Sequence, residues 1–186
     1  MRRVLLSLVA LLCLVTEPAV AAKWTVDHAK SRLGFTVAWS GQPFVATFAA
    51  WNAEIDFDPA DLAHAKAVVE IKLASEISGV PDNDDGLKGT EGFAVGQFPV
   101  ARFETTEFRS VGNGRYVATG RLDLHGVSRT VTLPFTLTFA GNAVHMTGKT
   151  VLSRIDFGLG HGEWASADTI AHAVTVTIDL TATKAR

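Results

Sequence analysis

A period-two alternation of apolar and polar residues recurs along most of the chain, and it constrains the fold more than any other feature. Leu33-Phe35-Val37-Trp39 alternates with Arg32-Gly34-Thr36-Ala38. Val131-Leu133-Phe135-Leu137-Phe139 alternates with Thr130-Thr132-Pro134-Thr136-Thr138, and Val174-Val176-Ile178-Leu180 with Thr175-Thr177-Asp179-Thr181. Each run puts branched or aromatic groups on one face and mostly threonine on the other, as in a sheet with one apolar and one wet face. Helical periodicity hardly appears. Further strands fit around 45–57, 66–75, 100–110, 115–124 and 143–153, which brings the expected number to about eight. Gly112-Asn113-Gly114, His125-Gly126 and Gly141-Asn142 predict tight hairpins, so the segments from 100 to 153 read as an antiparallel meander. The expected class is all-β: an eight-stranded antiparallel barrel, closed so that no edge is exposed, with one or two short helices in its connections.

Two connections break the alternation. Asp58-Pro59-Ala60-Asp61-Leu62 offers an N-cap and a proline at the first helical position, enough for one turn. Residues 80–99 form a long connection with scattered apolar side chains (Leu87, Phe93, Val95, Phe98), and a short helix is expected near 84–89. A connection of that length in a small domain usually covers something or carries function.

The chain opens Met1-Arg2-Arg3, runs apolar from Val4 to Val15, and reaches Ala19-Val20-Ala21-Ala22. This reads as a secretory signal peptide over residues 1–22, cleaved after Ala21 or one residue later. The apolar run, about twelve residues, is short of the roughly twenty that span a bilayer. Cys13 is not a lipidation site in this setting, because Leu12 precedes it and more apolar residues follow. The expected mature chain, 23–186, then has no cysteine and must rest on core packing alone. Without Arg2, Arg3 and Glu17 it carries 15 basic and 18 acidic residues, a net charge of −3, which argues against nucleic acid as a partner.

An eight-stranded barrel can fill its interior with its own side chains or hold one small ligand. The alanines of Phe44-Val45-Ala46-Thr47-Phe48-Ala49-Ala50-Trp51, and Gly120 between Ala118 and Leu122, leave room for a ligand unless opposing aromatics occupy it. The alternation names Phe35, Val37, Phe48, Trp51, Leu122, Leu133, Phe135, Leu137, Val176 and Ile178 as candidate lipid-binding walls. Phe93, Phe98 and Phe103 recur every five residues, matching neither strand nor helix, and either point rings into the barrel mouth or form a lid on a solid core. Trp164 is placed to close one barrel end.

Residues for chemistry are sparse. His28, His64, His125, His145, His161 and His172 form no metal-ligand spacing, and His64 and His125 read as solvated. Asp82-Asn83-Asp84-Asp85-Gly86 begins like a calcium loop but has Leu87 and Phe93 where glycine and glutamate are needed. No metal site and no catalytic set is expected, and Gly158-Leu159-Gly160-His161-Gly162 reads as a flexible loop. Arg154 and Asp156, two apart, would share a strand face. With His161 they are the candidates to meet a ligand headgroup, the alternative for Arg154 and Asp156 being an ion pair or turn clamp.

Several motifs, taken in order, resemble the YceI-like family of lipocalin-like periplasmic proteins. They are Trp24-x-x-Asp27-x-x-x-Ser31-x-Leu33-x-Phe35, Phe48-x-x-Trp51, Ile55-x-Phe57-Asp58-Pro59, Leu87-Lys88, Phe93, Phe98-Pro99 and Phe103. Gly120-x-Leu122-x-x-His125-Gly126-Val127, Leu152-x-Arg154-x-Asp156-Phe157-Gly158 and the terminal Val-x-Val-x-Ile strand complete the set. Departures are Ala46 and Ala53 where the family often has glycine, and Gly86 where it often has histidine. The resemblance implies a periplasmic, non-enzymatic carrier whose barrel holds a long isoprenoid lipid, a polyprenyl chain or an isoprenoid quinone, with no other cofactor. Some relatives are joined to, or encoded with, membrane b-type cytochromes, which makes an accessory role in quinone supply a second reading. A small enzyme acting on a lipid-like substrate is a third, and a homodimer is compatible with the resemblance.

Overall fold

The computed structural model describes residues 22–185; the expected signal peptide lies almost wholly outside them. Eleven strand segments make one antiparallel sheet, but they fill only eight positions in the wall. β1 (Lys23–Val26) and β2 (Arg32–Trp39) share one position, β3 (Gln42–Phe48) and β4 (Trp51–Asp56) the next, β5 (Lys66–Lys72) and β6 (Glu76–Ile77) the third. β7 (Val100–Gly112), β8 (Arg115–Leu124), β9 (Val127–Ala140), β10 (Ala143–Ser153) and β11 (Ile170–Lys184) follow as an up-and-down meander. β11 pairs with both β1 and β2, so the sheet closes on itself. The eight-stranded barrel expected from the alternation is the fold.

Each interruption shifts the inward face by one residue, and side chains repair the lost ladder bonds. Between β1 and β2, Ser31 Oγ donates to the Asp27 carbonyl at 2.7 Å and accepts from Thr181 N at 3.0 Å. Between β3 and β4, Ala49 N donates to the Ser75 carbonyl at 3.0 Å and Ala50 N to Ser75 Oγ at 3.0 Å. The inward set passes from Phe44, Ala46 and Phe48 to Trp51, Ala53 and Ile55. Ala49 and Ala50 therefore form a strand break and do not enlarge the interior. A bulge between Thr105 and Glu107 does the same in β7.

The connections over 78–99 and 154–169 meet at one end of the barrel, and the β4–β5 connection lies at the other. Helix α1 (Pro81–Lys88) has proline in its first turn and Asp82 and Asp84 beside its N-terminus, where acidic groups are favoured. It starts three residues before the expected segment because Pro81 fits the first helical position. Asp84 Oδ1 accepts from Ser78 N at 2.9 Å and from the Ser78 hydroxyl, fixing α1 to the end of β6. Residues 58–62 make hydrogen-bonded turns in place of a helix, with Asp58 Oδ1 accepting from Ala60 N at 2.9 Å.

β9 and β10 part company at the α1 end. Their ladder stops at Gly148↔Phe135, beyond which β9 pairs only with β8 and β10 only with β11. Thr132 O accepts from Thr150 Oγ1 at 2.8 Å, so that edge of β9 faces β10. Pro134, two residues on, presents the same edge with no N–H to give.

Candidate functional site: the barrel interior

The barrel holds an apolar cavity of about 300 Å3, at the lower end of the size range of small-molecule sites. Its lining draws on every wall position, on α1 and on the connections around residues 91–93 and 159–164. Aromatic clusters bound it. At the end away from α1, Phe57 meets Phe108, Tyr116 and Phe135 at ring separations of 5.2, 5.4 and 6.3 Å, and Trp24 Nε1 donates to the Phe57 carbonyl at 2.8 Å. At the α1 end, Phe93 packs edge-on against Phe35 at 6.1 Å, and Trp164 against Trp39 at 5.2 Å.

Of the walls named from the sequence, Phe35, Val37, Phe48, Trp51, Phe103, Leu122, Leu133, Phe135, Leu137, Val176 and Ile178 face the cavity from strands. Phe93 and Trp164 reach it from connections. Phe98 does not. Its ring packs 4.6 Å from that of His125 and against Gly126, on the outside of the β8–β9 hairpin. His125 is thereby half-buried, with Nδ1 3.2 Å from the Phe157 carbonyl, and is not the solvated tip expected. Gly120 leaves no room either, since a Cβ there would lie 2.6 Å from the Phe103 ring; the aromatic covers the glycine.

Arg154 and Asp156 do not share a face, because residues Arg154–Phe157 form a 3-10 turn in place of strand. Asp156 and His161 are exposed and outside the cavity lining. Arg154 is only 6% exposed and touches the cavity. Its guanidinium donates to the carbonyls of Ala171 (3.1 Å), Leu159 (2.9 Å), Trp164 (2.6 Å) and Ile170 (2.7 Å). These bonds use four of its five N–H groups. Burial holds the group below the usual arginine range, though it stays charged at any ordinary pH. Arg154 is a clamp on the 158–170 connection. That loop is not the free one expected: Gly158, Gly160 and Gly162 all take positive φ, and Gly160 N donates to the Glu91 carbonyl at 2.9 Å.

The polar side chains of the lining are few and mostly engaged. Thr105 Oγ1 accepts from Ala67 N at 2.8 Å, and Thr150 Oγ1 is bonded to β9. Glu91 is the one carboxylate of the lining. Glu76, which sequence reasoning passed over, lies outside the lining, on β6. It is 1% exposed, and neither carboxylate oxygen has a hydrogen-bond partner. Burial, and secondarily the charge of Asp84, push its pKa up to about 7 against the opposing pull of Lys88. Its only sequence signal was an acidic residue at the end of an apolar strand. Among the described residues no cluster of side chains has the makings of a metal site, and no helix is long and apolar enough to cross a membrane.

The model of the YceI-like domain matches residues 24–182, nearly the whole described chain. The chain belongs to the YceI-like family. A UPF0312 protein of Photorhabdus laumondii is 32% identical to this YceI-like chain over 139 residues, covering 72% of this chain and 71% of its own. One from Pseudomonas savastanoi is 27% identical over 150 residues, 76% of this chain and 78% of its own. Among solved structures, Burkholderia cenocepacia BcnA superposes with a TM-score of 0.83 at 30% identity, covering 86% of this chain and all of that one. A polyisoprenoid-binding domain from Saccharophagus degradans superposes with a TM-score of 0.66 at 16% identity, covering 89% of this chain and 99% of its own, a likeness of fold. The YceI-like barrel and its apolar interior thus account for the motifs: Asp27, Ser31, Arg154 and Gly158 hold breaks and turns, while Trp24, Leu33, Phe35, Phe93 and Phe103 line the lumen.

Proposed function

We propose that this chain is a carrier for a long-chain isoprenoid lipid, a polyprenyl chain or an isoprenoid quinone, held in the barrel interior and working in the periplasm after removal of residues 1–22. The observation that carries the reading is the lining. Nearly every group facing the cavity is aliphatic or aromatic, and apart from Glu91 its polar groups, the bonded threonines and Arg154, offer little to a polar solute. The polyisoprenoid-binding domain that shares the fold supports the ligand class.

Energetics favour a carrier that exchanges with a membrane. Burying a forty-carbon chain from water, at about 0.8 kcal/mol per methylene, would release roughly 30 kcal/mol. Non-covalent binding stops near 18–21 kcal/mol. A lipid starting in a bilayer is already out of water, so transfer is close to neutral and shape decides affinity. Trp24, Trp51 and Trp164 line the cavity, which supplies the test. Titration with an isoprenoid quinone carried on vesicles should quench tryptophan fluorescence saturably at one quinone per chain. Linear quenching without saturation would sink the proposal.

A further inference from the structure

Burying a carboxyl group with no hydrogen-bond partner is costly, and Glu76 is the one side chain among the described residues left in that state. Its register points inward, with the carboxyl behind the residues that line the cavity rather than among them. Glu76 pairs across the sheet with Phe48, and paired residues share a face. Phe48 lines the cavity, as do Leu73 on the same wall position and Leu87 on α1. The charged groups acting on Glu76 are Asp84 and Lys88, both on α1.

Resting on the carrier reading above, we propose that Glu76, as a neutral carboxylic acid, anchors the polar end of the ligand by donating a hydrogen bond to an uncharged oxygen, a carbonyl or hydroxyl, at the α1 end of the barrel. The polar groups of the lining itself are poor substitutes: Thr105 and Thr150 are bonded within the wall, the Arg154 clamp is largely committed to carbonyls, and Glu91 is a second carboxylate. An anionic headgroup is disfavoured here, because Asp84 lies close by and Glu91 lines the same end. The upward displacement of the Glu76 pKa, to about 7, keeps the donor proton in place in mildly acidic solution.

The test compares two isoprenoids of similar bulk, a quinone and the oxygen-free hydrocarbon squalene, each displacing an apolar fluorescent probe from the delipidated chain. Near pH 6, Glu76→Leu should bind the quinone about three- to tenfold more weakly, the worth of one hydrogen bond, with squalene unchanged. Glu76→Gln keeps a donor and should bind both as the parent does. Raising the pH to about 8.5 should weaken quinone binding by the parent to a similar degree and leave Glu76→Gln flat. If Glu76→Leu fails to fold, that pH comparison decides. Equal affinities in all three chains, or equal loss of both ligands in Glu76→Leu, would overturn the anchor while leaving the carrier reading in place. Failure of the parent to bind either isoprenoid would overturn both.

Discussion

Replacing Arg154 with methionine keeps an unbranched apolar stem but removes every donor, and the structure sets the expected cost. Four close bonds to the carbonyls of Leu159, Trp164, Ile170 and Ala171 are lost. At about 1.5–3 kcal/mol per charged bond the gross loss is roughly 6–12 kcal/mol. Two effects reduce it. The guanidinium no longer has to be desolvated, which returns several kcal/mol, and Leu159 and Ala171 are only partly buried, so water can reach their carbonyls. The net loss should be about 3–5 kcal/mol, a large share of the roughly 5–15 kcal/mol that holds a domain folded. Equilibrium urea unfolding followed by tryptophan emission measures it. Lysine should restore less than half, because an ammonium cannot reproduce the planar fork. The same variant should bind ligand poorly even when folded, since the clamp positions Leu159, Gly160 and Trp164 in the lining. A loss below about 1 kcal/mol, or full rescue by lysine, would refute the clamp.

Three further outcomes follow from other parts of the barrel. The Glu76 carboxyl is raised from 4.5 to about 7 in the fold; the unfolded chain gives up its proton first, so stability should fall as pH rises through that window, by up to about 3 kcal/mol, and Glu76→Gln should flatten this part of the pH–stability curve measured by urea unfolding. In Gly120→Ala the new Cβ would stand 2.6 Å from the Phe103 ring and 2.5 Å from the Glu104 carbonyl, costing about 1–3 kcal/mol; adding Phe103→Leu should recover only part of it, because the carbonyl contact persists. Ala118→Trp, at a cavity position 2% exposed, should abolish quinone-dependent quenching while the far-ultraviolet circular dichroism stays that of a β-barrel.

The regular stretches of the barrel were legible because the alternation holds there: Leu133, Phe135 and Leu137 face inward, alternating with Pro134 and Thr136. Legibility ended wherever the period slips. At 44–53 both faces read as apolar because the break at Ala49-Ala50 changes which residues point in. Phe57 and Phe108 were not named as walls for the same reason, one beyond the end of β4 and the other past the bulge in β7. β1 went unlisted because four residues are too few to show a period. Arg154 and Asp156 were misplaced because two residues apart means one face only on a strand, and the chain turns there. Pro134 carried a readable signal, the end of a ladder, within a run whose alternation it did not disturb. Glu76 and the clamp carbonyls had no local signature, since both depend on elements far apart in the chain.

The central claim is that the lumen holds an isoprenoid lipid. Mass spectrometry of organic extracts of the mature protein, purified from the periplasm of a Gram-negative host and shown to be folded, tests it most directly. The account predicts a polyprenyl or isoprenoid-quinone species at close to one per chain, and its loss in Ala118→Trp. A folded protein carrying no isoprenoid above the background of an unrelated periplasmic protein would contradict it.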